Sequence, residues 1–200
     1  MMRGLLFVAI VLAAGCGPNR ELVNIQQVSP GIFLDIRYAT ANNFTEQKVY
    51  DRAVCYLRPA TAAKLSRVQA ELERQSMGLM VYDCYRPHSV QYKFWALIPD
   101  ERYVANPADG SNHNRGAAVD LTLVDRNGTE LPMPSEFDVF TERAHRNYRD
   151  ASPEAARNRE TLERAMVRHG FLPLPTEWWH FDDTECRKYP ILDIGFGQLR

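Results

Sequence analysis

Between Arg58 and Ser76 apolar residues recur every three or four positions, at Ala62, Leu65, Val68 and Leu72, a spacing that lays one stripe along a helix. Pro59 falls in the first turn, where its missing N–H costs nothing. A second stripe, Leu162, Ala165, Met166 and His169, follows Ser152-Pro153, an N-cap with a first-turn proline, and meets Gly170, placed to end it. His88 to Leu97 also reads as helical. Gly78 to Asp83 (GLMVYD) reads as a buried strand, closed by Tyr85-Arg86-Pro87 because the residue before a proline disfavours helix. Ala117 to Val124 alternates small or apolar with polar residues and runs into Asp125-Arg126-Asn127-Gly128, where Asn-Gly predicts a hairpin. Shorter extended pieces are expected around Pro30-Gly31, over Phe171 to Phe181 and over Ile191 to Ile194, with Pro173 and Pro175 keeping helix out. Helices and strands alternate irregularly and carry hairpin signals. That order predicts an α+β single domain with a mainly antiparallel central sheet flanked by helices.

The N-terminus follows a different pattern. Arg3 precedes a short apolar run, Gly4 to Ala14, and small residues lead up to Cys16. Residues 1–15 read as a secretory signal. The approach to Cys16 resembles the lipobox of bacterial lipoproteins, in which that cysteine is lipidated, although Ala13 stands where leucine is commonest. The expectation is export to the periplasm, a lipid anchor at Cys16 as the only membrane contact, a linker over residues 16–24 and a domain over 25–200.

Composition narrows the rest. The chain has 200 residues and is 45% hydrophobic, enough for a real core. Its 24 basic and 25 acidic side chains give a net charge of −1, so no polyanion partner, and no nucleic acid, is expected. No apolar run reaches the roughly 18 residues that a spanning helix needs. Cys55, Cys84 and Cys186 would sit in an oxidising compartment, either as one disulfide plus a free thiol or as three buried thiols.

The densest polar stretch is Ser111-Asn112-His113-Asn114-Arg115-Gly116-Ala117-Ala118-Val119-Asp120. A loop bending at Gly116 into the strand that carries Asp120 lets His113 and Asp120 converge on one cation. Thr176-Glu177-Trp178-Trp179-His180-Phe181 offers a further imidazole with a carboxylate three residues before it. Positions three apart in a regular strand face opposite ways. Unless the strand is distorted, Glu177 and His180 therefore cannot both be ligands, and Glu177 reads as reaching the attacking water instead. Two histidines, an aspartate and an open position suit a catalytic zinc, one per chain. His88, His145 and His169 lack such a context and read as structural.

These residues carry a resemblance. SNHNRGAAVD matches the SxHxxGxAxD signature of zinc D,D-peptidases, and EWWHF matches their ExxH motif. Arg37-Tyr38-Ala39-Thr40 with Asn43-Phe44, Tyr82-Asp83-Cys84-Tyr85-Arg86-Pro87, and Phe137-Asp138 follow in the order found in D-alanyl-D-alanine dipeptidases of the VanX type. The resemblance implies a hedgehog/D,D-peptidase-like fold, zinc ligands His113, Asp120 and His180, Glu177 as general base and acid, and Arg86 as the group that stabilises the oxyanion. It also implies that Asp138 pairs with the substrate ammonium, and that Ser111 and Tyr38 line the pocket near the substrate carboxylate and backbone. The substrate would be D-Ala-D-Ala or a close D,D- or L,D-dipeptide. Alternatives are a D,D-carboxypeptidase or endopeptidase that trims peptidoglycan stem peptides, and a lipoprotein that binds such fragments without cleaving them. Asp83 would either orient Arg86 or end its strand. Cys84 departs from relatives, which usually carry Gly or Ala there, and a disulfide at Cys84 would put the position of Arg86 in question.

Overall fold

The computed structural model describes residues 22–199. The signal-like segment and Cys16 lie outside them. The described residues form seven β-strands and four α-helices. They are β1 (Val23–Asn24), α1 (Ile25–Val28), β2 (Phe33–Leu34), β3 (Tyr56–Leu57), α2 (Pro59–Glu73), β4 (Met77–Asp83), α3 (His88–Leu97), β5 (Ala118–Asp125), α4 (Pro153–Arg168), β6 (Phe171–Pro173) and β7 (His180–Asp183). The main sheet has the order β2-β4-β5-β7-β6. Every pair in it is antiparallel except β2 with β4, which is parallel. The α+β, mainly antiparallel expectation is borne out.

The two long helices form where the stripes predict them. On α2, Ala62, Leu65, Val68 and Leu72 are fully buried, and on α4 the Ser152 hydroxyl accepts from Ala155 N at 3.1 Å, capping a helix whose Leu162 and Met166 are buried. Burying a leucine side chain is worth about 1.5–3 kcal/mol, so these stripes fasten the helices far more strongly than propensity does. α2 packs on β4, and α4 on β5 and β6. All but the last residue of β5 are buried, which makes it the centre of the fold.

Three expectations need correction. Residues 22–24 do not belong to a linker. Leu22 is buried and β1 pairs with β3, because Gly116 leaves room there: a Cβ on Gly116 would lie 2.4 Å from Leu22 Cδ2. The Asn-Gly turn forms, but its return arm contributes only a Val124–Glu130 bridge, since Pro132 and Pro134 remove the N–H groups a second strand would need. Residues 191–194 do not join a strand, and Phe171 to Phe181 divides into β6 and β7 around a turn.

One irregularity positions the site. β4 and β5 pair in register up to Val81 with Leu121, and then shift so that Asp83, rather than Tyr82, lies opposite Asp120. Asp120 is in turn opposite His180 on β7. Directly opposed residues share a face, so the shift brings Asp83, Asp120 and His180 into one row across three strands.

Candidate active site

His113 opens a 3-10 turn, His113–Arg115, that ends at Gly116 with φ +67°, a left-handed conformation glycine adopts freely. The Ser111 hydroxyl accepts from His113 N at 3.2 Å and steadies the turn. The imidazole then reaches the row on the sheet. His113 Nε2 lies 3.3 Å from Asp120 Oδ1 and 3.2 Å from His180 Nδ1, and His180 Nδ1 lies 2.9 Å from Asp120 Oδ1. All three side chains are buried.

The hydrogen bonds behind these rings fix their tautomers. His113 Nδ1 is 2.7 Å from the Cys84 carbonyl, which can only accept, so Nδ1 carries the proton and Nε2 presents a lone pair. His180 Nε2 is 3.0 Å from Asp182 Oδ1, so its Nδ1 likewise faces the centre. Burial works against a charge on His180, yet Asp182 and Asp120 outweigh it and hold this imidazole well above its ordinary pKa. Burial would raise Asp120, but the two histidines hold it well below the usual carboxylate range. The point between the three donors therefore favours positive charge. Tetrahedral bonds of about 2.0–2.1 Å separate neighbouring ligand atoms by about 3.3 Å, close to the spacings found here, so the donor set fits zinc.

Glu177 stands beside this triad without joining it. Its Oε2 is 4.0 Å from His180 Nδ1. The chain from Pro175 to Trp179 is a turn and not a strand, tied down by Trp178 N to Ala144 O at 2.9 Å. The strand rule of opposite faces therefore does not apply, and Glu177 reaches the same side as His180. Burial, with the charges of Asp120 and Asp138 added and that of His180 opposing, pushes its carboxyl up to about 8.

Arg86 enters from the end of β4. Its Nε and Nη2 donate to Asp83 Oδ2 at 3.2 and 2.7 Å, and its Nη1 donates to Gln91 Oε1 at 2.8 Å. Its guanidinium lies over the rings of Phe94 and Tyr38. Both readings left open for Asp83 are observed: it pairs with Arg86 and is the last residue of β4. Asp83 Oδ1 also accepts from Tyr50 Oη and Cys84 N, both at 2.9 Å. Burial alone would lower the Arg86 pKa, but Asp83 outweighs it and the group stays cationic.

Asp138 has φ +61°, a strained conformation for a non-glycine residue, of the kind that clusters at functional sites. It is held by Tyr38 Oη donating to its Oδ1 at 3.1 Å and by Phe44 N donating to its Oδ2 at 3.3 Å. Burial, and next the charge of Asp120, push its carboxyl up to about 7. Asp138, Tyr38, Ser111, Arg86, Glu177 and the triad all line one cleft of about 220 Å³. Every site residue expected within the described chain is thus brought together. Cys55 and Cys84 form a disulfide with Cα atoms 5.3 Å apart, and Cys186 is free and buried. The cross-link leaves Arg86 in the cleft. Asp182, Gln91 and Tyr50 were not anticipated. Asp182 follows His180 at the two-residue strand spacing, a signal that was available, whereas Gln91 and Tyr50 reach the site only through the tertiary fold.

Donors arranged in this way, with a carboxylate and a guanidinium flanking them in a small cleft, belong to the metallopeptidase class. Comparison with known proteins narrows it. Residues 18–191 match the profile of Peptidase_M15, described as D-ala-D-ala dipeptidase, and the chain is a member of that family. It is 37% identical over 177 residues to the D-alanyl-D-alanine dipeptidase of Escherichia coli strain K12, covering 88% of this chain and 92% of that one. It is 32% identical over 194 residues to the enzyme of that name from Enterococcus faecalis, covering 86% and 96%, and 33% identical over 178 residues to that of Enterococcus faecium, covering 78% and 88%.

Proposed function

We propose that this protein is a zinc dipeptidase that hydrolyses D-Ala-D-Ala, or close D,D- or L,D-dipeptides, to free amino acids in cell-wall peptide turnover. The convergence of His113 Nε2, Asp120 Oδ1 and His180 Nδ1, with both imidazoles oriented from behind by the Cys84 carbonyl and Asp182, carries this reading. These three atoms would hold the zinc. When bound, the ion supplies a Lewis acid at the scissile carbonyl and lowers the pKa of water to about 7. Glu177 takes the proton from the attacking water and later hands it to the departing amine, a two-way role suited to a carboxyl whose pKa burial has raised. Arg86, held on one side by Asp83 and Gln91, meets the negative charge that develops on the carbonyl oxygen. Asp138 pairs with the substrate ammonium and closes the cleft to longer peptides.

The ammonium contact separates a dipeptidase from a carboxypeptidase or endopeptidase. N-acetyl-D-Ala-D-Ala is expected to react at least about 100-fold more slowly than D-Ala-D-Ala in kcat/KM, because acetylation removes the charge that Asp138 binds and leaves that carboxylate buried and unpaired. Asp138→Asn should erase most of the difference. The pH dependence has a definite sign: below about 7 Asp138 is protonated and neutral, so KM for the free dipeptide falls as pH rises through that value, and the step is absent in Asp138→Asn. Equal rates on the two substrates would favour a stem-peptide carboxypeptidase instead.

The reading extends to location. The signal-like residues before Cys16 and a disulfide of the kind that persists outside the reducing cytoplasm support an exported, lipid-anchored enzyme, which suits recycling of wall dipeptides. Fractionation should find the protein with the envelope membranes, and a Cys16→Ser variant should be released from them. Recovery of the wild type in the cytosol would overturn this.

A further inference from the structure

The geometry points to Arg187 as the anchor for the substrate's terminal carboxylate, so that the cleft selects for a free C-terminus as well as for a free amine. This inference rests on the dipeptidase reading. A dipeptide at neutral pH is a zwitterion, and Asp138 can answer only its positive end. The cleft is otherwise rich in acidic groups, with Glu101, Asp120, Glu177 and Asp182 also on its walls. A carboxylate entering it needs a cation.

Three guanidinium groups line the cleft, those of Arg86, Arg102 and Arg187. Two are already engaged. Arg86 is held by Asp83 and Gln91 beside the triad. Arg102 is clamped by Asp100, which accepts from its Nε and Nη2. Arg187 makes no side-chain hydrogen bond or ion pair among the described residues. A guanidinium with its fork free is suited to a bidentate carboxylate contact.

Its place in the fold suits the role. Arg187 lies on a 3-10 turn, Cys186–Lys188, that follows β7. The chain beyond it is fastened to the loop carrying His113: Arg115 Nη1 donates to Tyr189 O at 2.6 Å, and Leu192 N donates to Asn114 O at 2.9 Å. Ser111 and Asn112 of that loop line the same cleft. Asp138 is fixed instead by Tyr38 and Phe44, in the segment that follows β2. The sheet order sets β4 and β5 between β2 and β7, so the two charges belong to opposite sides of the site.

The test compares D-Ala-D-Ala with its C-terminal amide in the wild type, in Arg187→Ala and in Arg187→Lys. Arg187→Ala should raise KM for the free acid about tenfold, with kcat within about twofold of wild type and the amide unaffected; Arg187→Lys should recover part of the loss. Calorimetric binding of D-Ala-D-Ala to Glu177→Ala protein should weaken by the same factor when Arg187→Ala is added. Unchanged KM, or equal losses on acid and amide, would overturn the role of Arg187 while leaving the dipeptidase reading intact. A wild type that hydrolyses neither compound would overturn both.

Discussion

Glu177→Ala protein should retain its full complement of zinc and lose turnover of D-Ala-D-Ala by about 10³–10⁴-fold in kcat. The two halves of that result have separate causes. Glu177 Oε2 lies 4.0 Å from His180 Nδ1 and Glu177 is not one of the three donors, so its removal takes nothing from them. In the proposed mechanism, what disappears is the group that accepts a proton from water and returns it to the amine. Glu177 is buried, and the carboxylates of Asp120 and Asp138 repel its charge, so the variant is expected to be no less stable than wild type. His180→Ala should behave differently, losing metal and turnover together, because it deletes a donor and leaves Asp182 facing a gap. Metal analysis beside single-turnover kinetics distinguishes the two. Loss of zinc in Glu177→Ala would contradict its role as a base.

Arg86→Ala should lower kcat by about 10²–10³-fold with a smaller change in KM, the signature of a contact made mainly in the transition state. It should also cost about 3–5 kcal/mol of stability, since Asp83 is fully buried and would be left as an uncompensated charge. Arg86→Lys tests the geometry. A lysine keeps the charge but cannot donate to Asp83 and Gln91 at once, so it should recover stability more than kcat. Urea unfolding beside kinetics on folded protein would check both, and an Arg86→Ala enzyme within tenfold of wild type in kcat would remove Arg86 from the mechanism.

The parts of this fold that could be read in advance are those where local preference and tertiary packing agree. Ala62, Leu65, Val68 and Leu72 make one stripe whether α2 is considered alone or in place, and Ser152-Pro153 starts a helix by local chemistry. Non-local pairing was less legible. Nothing in Phe33-Leu34 announces a parallel partner in β4, and the return arm of the Asn-Gly turn fails as a strand for want of donors at Pro132 and Pro134. The side of the site reached by Glu177 depends on where β7 begins, and strand boundaries are weakly encoded. The convergence of His113, Asp120 and His180 was legible because motif spacing survives folding. Asp182, which holds His180, Gln91, which holds Arg86, and Tyr50, which holds Asp83, are scattered along the chain and meet only after the β4–β5 register shift has set the row. The choice of Cys55 as the partner of Cys84 likewise depends on β3 lying beside the end of β4.

That disulfide has a consequence for how the enzyme matures. It closes a covalent ring across a sequence separation of 29, enclosing the whole of α2 and β4. A ring of that size reduces the entropy of the unfolded chain by an amount worth about 3–4 kcal/mol. One end of the closure stands between Asp83 and Arg86, and its carbonyl fixes the tautomer of His113. Oxidation therefore tethers the residue around which His113, Arg86 and Asp83 are arranged, and a reduced chain carries every side chain of the cleft while lacking that tether. An oxidant of thiols in the surroundings would act as a maturation factor for the catalytic centre although it transfers nothing to it.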